Sequence, residues 1–215
     1  MKTTITISRQ LGSGGSYIGQ VVAKRLGIKY VDREVLHLAA QEFGCDTETI
    51  EARRERVTSF WERVLSGLTF GTPDSPYNPP PLRNFSDREL FDKQTEILKR
   101  IAGKYDCVVV GWAGVWVLPR HCGTFHVFCH ARKGFRVRRL MNLYDNLTEE
   151  KARLLLTESD QARERYFEQM TGHDWHCARN YDLCIDTSLQ PLEETAELII
   201  KLSEQQRRIA VAAAQ

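Results

Sequence analysis

In the first fifty residues, the spacing of hydrophobic and polar positions alternates between the pattern of a strand and the pattern of a helix. Thr3 to Ser8 is a short β-branched run, which is typical of a strand. Ser16 to Leu26 carries apolar residues at helical spacing, and Gly27 is a stop signal for that helix. A second short strand is predicted at Ile28 to Val31, and an amphipathic helix at Arg33 to Phe43. The pattern is therefore strand, glycine-rich turn, helix, strand, helix.

The middle of the chain contains a proline-rich interruption between two helical patterns. Asp46 can cap a helix that carries Phe60 and Trp61. The stretch GTPDSPYNPPP that follows cannot continue a helix, and we place it in an irregular loop at 71–83. Ser86 and Glu89 have the spacing of a capping box, which predicts a helix running to about Ala102.

Strands and helices continue to alternate to the end of the chain. The later strands are predicted at Cys107 to Val110, Thr124 to Cys129 and the LCID run, Leu183 to Asp186. The later helices are predicted at Gly134 to Leu143, Thr148 to Met170 and from about Pro191. This alternation predicts a mostly parallel sheet, and apolar strands without a polar face predict helices on both sides of it. The fold class is therefore α/β, with a five-stranded sheet in three layers.

Length and composition limit the domain count and the classes of partner. A chain of 215 residues with 42% hydrophobic content suits one domain, 1–215, better than two independent ones. The net charge of +2 gives no bulk attraction to a nucleic acid polymer or a membrane. No apolar run approaches the about 18 residues that span a bilayer, so we expect a cytoplasmic protein. Six cysteines without a CxxC pair predict buried, reduced thiols.

The stretch ISRQLGSGGSYIG, from Ile7 to Gly19, joins the first strand to the first helix. A glycine-rich turn at a helix N-terminus favours phosphate, because the first-turn N–H groups are unpaired and the helix dipole attracts negative charge. Aligned with a P-loop, Ser16 takes the position of the Mg²⁺-binding hydroxyl, and Gly15 stands where lysine is usual. Such glycines are also used for steric reasons alone. A dinucleotide-binding turn is excluded because no third glycine stands at the required spacing.

Several separated motifs together resemble the cytidylate kinase-like family of P-loop kinases, which is related to the nucleoside monophosphate kinases. They are ITISRQLGSGGSYIG, YVDREVL, VVVGWAG, HVFCHARKGFRVRRLM, the D-x-x-R-x-x-Y run from Asp160 to Tyr166, HDW and YDLCIDTS. The resemblance implies a P-loop kinase fold with a helical acceptor-binding insertion at about 33–103, and with a lid and following helix at about 131–170. The family pattern itself has Ser-Arg before the loop and GSGG within it, so the absent lysine is a family trait.

The resemblance also implies roles for individual residues. The nucleotide-binding loop is Gly12, Ser13, Gly14, Gly15 and Ser16, with Ser16 also the ligand of nucleotide-bound Mg²⁺. The catalytic cations are Arg9, Arg136, Arg139 and Arg163. A cationic run on a helix is also typical of a solvated face, which is the alternative for the lid arginines. Asp160 either orients Arg163 through an ion pair or lies on an exposed face.

The acceptor site is where the chain departs from the family. The substrate-binding candidates are Asp32, Arg33 and Trp112. Asp32 follows a strand but can equally cap the next helix. Trp112 stands where the family usually has an arginine, which in related monophosphate kinases is aimed at the acceptor's phosphate. An indole offers only stacking and one N–H donor, and ordinary core packing is the alternative for Trp112. Asp186 is interpreted only as a cap of the last helix, and the HDWH histidines lack a further ligand set for a metal.

Three functions follow from this sequence. The leading hypothesis is transfer of the γ-phosphoryl of ATP, with Mg²⁺, to a small acceptor, most simply CMP or another nucleoside monophosphate. The alternatives are a non-catalytic nucleotide-binding or regulatory module and a kinase for a non-nucleotide acceptor, since fold does not fix substrate. The sequence is compatible with a homodimer but does not determine the oligomeric state.

Overall fold

The computed structural model describes residues 2–32, 87–111, 113–118, 120 and 123–213. The strands are β1 (Thr4–Arg9), β2 (Lys29–Val31), β3 (Cys107–Val110), β4 (Thr124–His130) and β5 (Leu183–Asp186). The helices are α1 (Gly15–Leu26), α2 (Asp87–Lys104), α3 (Gly114–Val117), α4 (Lys133–Leu143), α5 (Glu149–Thr171) and α6 (Leu192–Ala213), with a 3₁₀ turn at Ala178–Asn180. None of these helices is long and apolar enough to cross a membrane.

The five strands form one parallel sheet in the order β2-β3-β1-β4-β5. The central strand is β1, where Thr4 pairs with Cys107 of β3 on one side and with Thr124 of β4 on the other. Because all strands run in the same direction, their carboxyl ends meet at one edge of the sheet. The loop after β1 therefore lies between the ends of β3 and β4, in the middle of that edge.

Helices cover both faces of the sheet, as the apolar strands predict. On one face, Ile5 and Ile7 of β1 are fully buried beside Ile18 of α1 and Ile199 of α6. On the other face, Val109 and Phe128 pack with residues of α2, α3 and α5. A third cluster, around Leu11, Leu140 and Leu156, joins the loop after β1 to α4 and α5. The result is the predicted three-layer α/β arrangement, with a sheet that is parallel throughout rather than mostly so.

The sequence analysis predicts neither α3 nor the 3₁₀ turn, and the bounds of the other described elements differ from the predictions by a few residues at most. α1 begins at Gly15, one residue before the predicted Ser16, because Gly14 already adopts the N-cap position. β4 extends to His130, because its last residue pairs with Asp186 of β5. The predicted helix at 33–43 and the proline-rich loop at 71–83 lie outside the described residues.

The expectation of buried thiols is right for two cysteines and wrong for one. Cys107 and Cys129 are buried in β3 and β4, and desolvation raises the pKa of the Cys107 thiol to about 12. Cys184 is exposed, because β5 is an edge strand with less covering on one side. Cys177 is half-buried, and all four of these described thiols are free.

Candidate functional site

The loop between β1 and α1 turns through left-handed backbone at Gly12, with φ 74°, and at Gly14, with φ 80°. A Cβ atom at Gly12 would lie 2.9 Å from the Arg136 carbonyl oxygen, and one at Gly14 would lie 2.6 Å from Leu192 Cδ1. Glycine is the residue that tolerates both this backbone and this clearance. The steric interpretation of the glycines therefore holds here, and it is compatible with a phosphate site.

The same loop presents backbone N–H groups at the start of α1. Gly14 is the N-cap and provides no side-chain cap, and the first turn carries no acidic residue. Within the part of the chain that the structure describes, the amides of Gly12, Gly14, Gly15 and Ser16 have no hydrogen-bond acceptor. Unpaired first-turn amides and the positive end of the helix dipole favour a bound anion. The arrangement fits a phosphate group.

Side chains and backbone groups hold the rest of the loop in shape. The Thr187 hydroxyl, just after β5, donates to the Ser13 carbonyl oxygen over 2.6 Å. The Ser13 hydroxyl donates in turn to the Gln10 carbonyl oxygen over 2.8 Å. The Leu11 N–H donates to Asp160 Oδ1 of α5 over 2.8 Å. These bonds orient the loop without using the N–H groups at the start of α1.

Arg9, the last residue of β1, brings a cation to the loop. Its Nε lies 3.3 Å from the Ser16 hydroxyl oxygen. A Cβ atom at Gly15 would lie 2.5 Å from Arg9 Cβ, and one at Gly111 would overlap Arg9 Nη1. The side chain therefore runs from the start of α1 to the end of β3, through space that two glycines leave open.

Two of the predicted lid arginines converge on Asp160. Arg136 Nη1 lies 2.5 Å from one carboxylate oxygen, and Arg163 Nη1 lies 3.6 Å from the other. The three side chains are at most 15% exposed. Arg136 also donates to the Leu11 carbonyl oxygen over 3.2 Å. The predicted Asp160–Arg163 ion pair is thus present, and Arg136 is a buried support of the glycine loop.

The third predicted lid arginine, Arg139, has a different neighbour. Its guanidinium carbon lies 6.0 Å from the centre of the Tyr17 ring, within the range of a cation–π contact. The Tyr17 hydroxyl donates to a Glu193 carboxylate oxygen over 2.6 Å, and this bond raises the pKa of Tyr17 and lowers that of Glu193. The predicted clamp arginines therefore divide between the Asp160 group and the start of α1.

Of the three predicted acceptor contacts, the structure describes only Asp32. It is half-buried and directly follows β2. Since β2 pairs with β3, Asp32 and Gly111 lie on the edge of the sheet that carries the glycine loop. Arg33 and Trp112 lie outside the described residues.

The two histidines of the HDWH run have different neighbours. His173 stacks on Trp116 with ring centroids 3.6 Å apart, whereas His176 Nδ1 lies 3.3 Å from a Glu164 carboxylate oxygen. Glu164, Asp174 and His176 bring ligand atoms within 4.8 Å of one another on a half-buried to exposed surface. The histidines therefore do not share a site, and Glu164 is a neighbour that the sequence spacing could not supply.

Comparison with known proteins is consistent with this loop and sheet. A family model described as the cytidylate kinase-like family matches residues 4–189. The chain belongs to the cytidylate kinase-like family. No curated protein matches it.

Solved structures show that this cytidylate kinase-like chain has a P-loop kinase fold. An uncharacterized protein from Eubacterium ventriosum ATCC 27560 is similar with a TM-score of 0.68 and 18% identity, covering 94% of this chain and 99% of its own. A gluconokinase from Sinorhizobium meliloti 1021 has a TM-score of 0.50 and 18% identity, covering 99% and 95% of the respective chains. A shikimate kinase from Acinetobacter baumannii has a TM-score of 0.49 and 14% identity, covering 96% of each chain.

Sequence reasoning missed two residues that shape this cytidylate kinase-like site, Gly111 and Thr187. The IDTS run was interpreted only through Asp186 as a helix cap, yet α6 begins at Leu192. Asp186 instead accepts the Ser188 hydroxyl and N–H, and the hydroxyl lowers the pKa of Asp186. The position of Thr187 directly after a parallel strand was the available signal, because such positions face the ligand crevice.

Proposed function

We propose that this chain is an ATP-dependent phosphotransferase that moves the γ-phosphoryl group to a small acceptor, with CMP or another nucleoside monophosphate as the first candidate. The observation that carries the proposal is the cradle formed by the amides of Gly12, Gly14, Gly15 and Ser16, which have no acceptor within the described part of the chain, with Arg9 beside it. Phosphoryl transfer needs in-line positioning and cations around the transferring group, and little covalent chemistry from the protein. A glycine loop with an adjacent guanidinium supplies both.

The chain's own residues fit a magnesium nucleotide. Ser16 lies in the first turn of α1, and its hydroxyl oxygen is next to the amides that would hold the phosphates. In this proposal Ser16 would be a ligand of Mg²⁺, and Asp32 would contact the ion's water or the acceptor. When bound, Mg²⁺ neutralises charge on the phosphates. Arg9 provides the charge that a lysine provides in other P-loops.

The remaining arginines complete the proposed site in two ways. Arg136 and Arg163 form ion pairs with Asp160, and we call these three side chains the Asp160 group. The two arginines add positive charge next to the loop, and Asp160 also accepts the Leu11 N–H. Arg139 lies beside Tyr17 in the first turn of α1, where it can contact the nucleotide. We also propose that about 131–170 forms the lid and its following helix. The proposed location of the protein is the cytoplasm.

A non-nucleotide acceptor is the second candidate. The fold is shared with a gluconokinase, and Trp112 stands where the family usually has an arginine, which in related monophosphate kinases is aimed at the acceptor's phosphate. An acceptor without a phosphate would not need that arginine. Arg33 and Trp112 would then contact another polar or ring-bearing molecule.

The experiment that tests the proposal is ADP release from MgATP in the presence of each ribo- and deoxynucleoside monophosphate in turn, and then of gluconate and shikimate. We expect turnover with one acceptor and its loss in Ser16→Ala. Ser203→Ala, a serine in α6 whose hydroxyl bonds to the Ile200 carbonyl oxygen, is the matched control and should retain activity. MgADP binding without turnover on any acceptor would instead favour a regulatory nucleotide-binding module.

A further inference from the structure

The Arg9 side chain connects two strand ends that belong to different parts of the candidate site. Its Nε lies 3.3 Å from the Ser16 hydroxyl oxygen at the start of α1. Its Nη1 occupies the space that a Cβ atom at Gly111 would take, and that Cβ would lie 3.2 Å from Arg9 Cζ. Because these nitrogens belong to one planar guanidinium, a single cation faces both the glycine loop and the end of β3.

The end of β3 is on the acceptor side of the site. β3 lies between β1 and β2, and Asp32 follows β2 at the same edge. The predicted acceptor-binding insertion, at about 33–103, follows Asp32 directly in the sequence. In open parallel sheets, ligands bind in the crevice outside the carboxyl ends of the strands. Arg9 therefore stands at the boundary between the donor loop and this crevice.

We propose that the Arg9 guanidinium is shared by the two substrates and that Gly111 positions it. One side of the guanidinium contacts the phosphoryl group at the glycine loop, and the other contacts an anionic oxygen of the acceptor at the end of β3. Its N–H donors are fixed in a fork that matches two oxyanions at once, which a lysine cannot do. The acceptor class that this geometry fits is a phosphate or carboxylate whose ionised oxygen is the nucleophile.

This inference rests on the proposed function and accounts for both departures from common kinase motifs. Gly15 leaves room for Arg9 Cβ, and Arg9 replaces the lysine of the P-loop. Arg9 also reaches the strand end where Trp112 replaces the family's arginine. During transfer, the acceptor oxygen forms a bond to the γ-phosphorus, and the bond from that phosphorus to ADP breaks with its electron pair on ADP. An ionised oxygen has no proton to lose in that step.

The first test is a double-mutant cycle on MgADP affinity with Arg9→Ala, Gly111→Ala and the double variant. A methyl group at Gly111 displaces the guanidinium, so we expect Gly111→Ala to weaken MgADP binding about tenfold alone and less than about twofold in the Arg9→Ala background. Equal weakening in both backgrounds would overturn the inference. Gly27→Ala is the matched control, because Gly27 has φ 62° but no atom within 4 Å of an added Cβ, and it should leave affinity unchanged.

The second test concerns the acceptor and also serves if Gly111→Ala fails to fold. Arg9→Lys keeps the charge and loses the fork, so we expect the KM values for MgATP and for CMP, or for the acceptor found in the turnover assay, both to rise about tenfold or more. Adding Trp112→Arg should restore the acceptor KM and leave the MgATP KM raised. A rise confined to MgATP would overturn the sharing of Arg9. Absence of MgADP binding by the unaltered protein would instead refute the proposed function.

Discussion

Asp160 binds three groups with one carboxylate: Arg136, Arg163 and the Leu11 N–H. Each partner belongs to a different part of the site, since Arg136 is on α4, Arg163 on α5 and Leu11 in the glycine loop. The side chains of both arginines are only 10% exposed, so this carboxylate offsets positive charge that water reaches poorly. The residue therefore affects both the stability of the fold and the position of the loop.

Replacing Asp160 by asparagine should destabilise the protein by about 3 kcal/mol, because removal of one partner leaves buried charge uncompensated. Urea unfolding measures this free energy, and MgADP affinity measures the effect on the loop. Glu149→Gln is the control, since its ion pair with Arg153 is exposed and worth about 0–1 kcal/mol. A loss no larger than that of the control would show that the Asp160 group is not a stabilising network.

The sequence predicted the contact of Asp160 with Arg163, but it could not predict the contacts of Asp160 with Arg136 and Leu11. Asp160 and Arg163 are three residues apart on one helix, and that spacing brings their side chains together. Arg136 lies 24 residues away and Leu11 lies 149 residues away, so their approach depends on how α4, α5 and the loop pack. The same limit explains why the role of Gly111 was missed. The missing side chain of Gly111 matters only because the Arg9 guanidinium occupies the space that a Cβ atom would take, and the sequence does not show this contact.

Among the secondary-structure elements, the loop between β1 and α1 depends on elements that are distant in the sequence. Thr187 follows β5 and is separated from Ser13 by 174 residues, yet its buried hydroxyl fixes the Ser13 carbonyl. That bond constrains the loop at Ser13, between the amides of Gly12 and Gly14. The longer described elements were predicted closely, because apolar periodicity determines helices and strands locally, but the four-residue helix α3 was not predicted. The order of the strands, and hence the Thr187 contact, depends on long-range pairing.

Thr187→Val should cost about 1–3 kcal/mol of stability, because it leaves a buried carbonyl unpaired, and it should weaken MgADP binding at a temperature where the variant is folded. Thr195→Val is the matched control: Thr195 is equally buried, and its hydroxyl bonds to the Pro191 carbonyl oxygen and not to a residue of the loop. The measurements are thermal unfolding and calorimetric titration with MgADP. If both variants lose stability but neither loses affinity, Thr187 supports the fold and not the phosphate cradle.

For the molecule as a whole, the sheet covered on both faces makes stability depend on pH through a thiol in its core. Burial raises the pKa of Cys107 to about 12, compared with about 8.5 for a cysteine in an unfolded chain. Above the lower value the unfolded chain has released this proton while the folded chain still holds it. The free energy of unfolding must therefore fall as the pH rises from about 8.5 towards the folded pKa, and this contribution is fully present below that range.

Cys107→Val removes the titrating group and keeps an apolar side chain in β3. The free energy of unfolding of this variant should therefore fall less at high pH than that of the unaltered protein. Each pH unit above the unfolded pKa corresponds to about 1.4 kcal/mol, so between pH 7 and 10 the unaltered protein should lose about 2 kcal/mol more than the variant. Urea unfolding at both pH values measures this difference. Cys177→Val is the control, because hydrogen bonding from Arg179 lowers the pKa of that thiol and its linkage has the opposite sign. An equal loss in Cys107→Val and the unaltered protein would show that Cys107 ionises at its ordinary pKa, and hence that the centre of the sheet admits water.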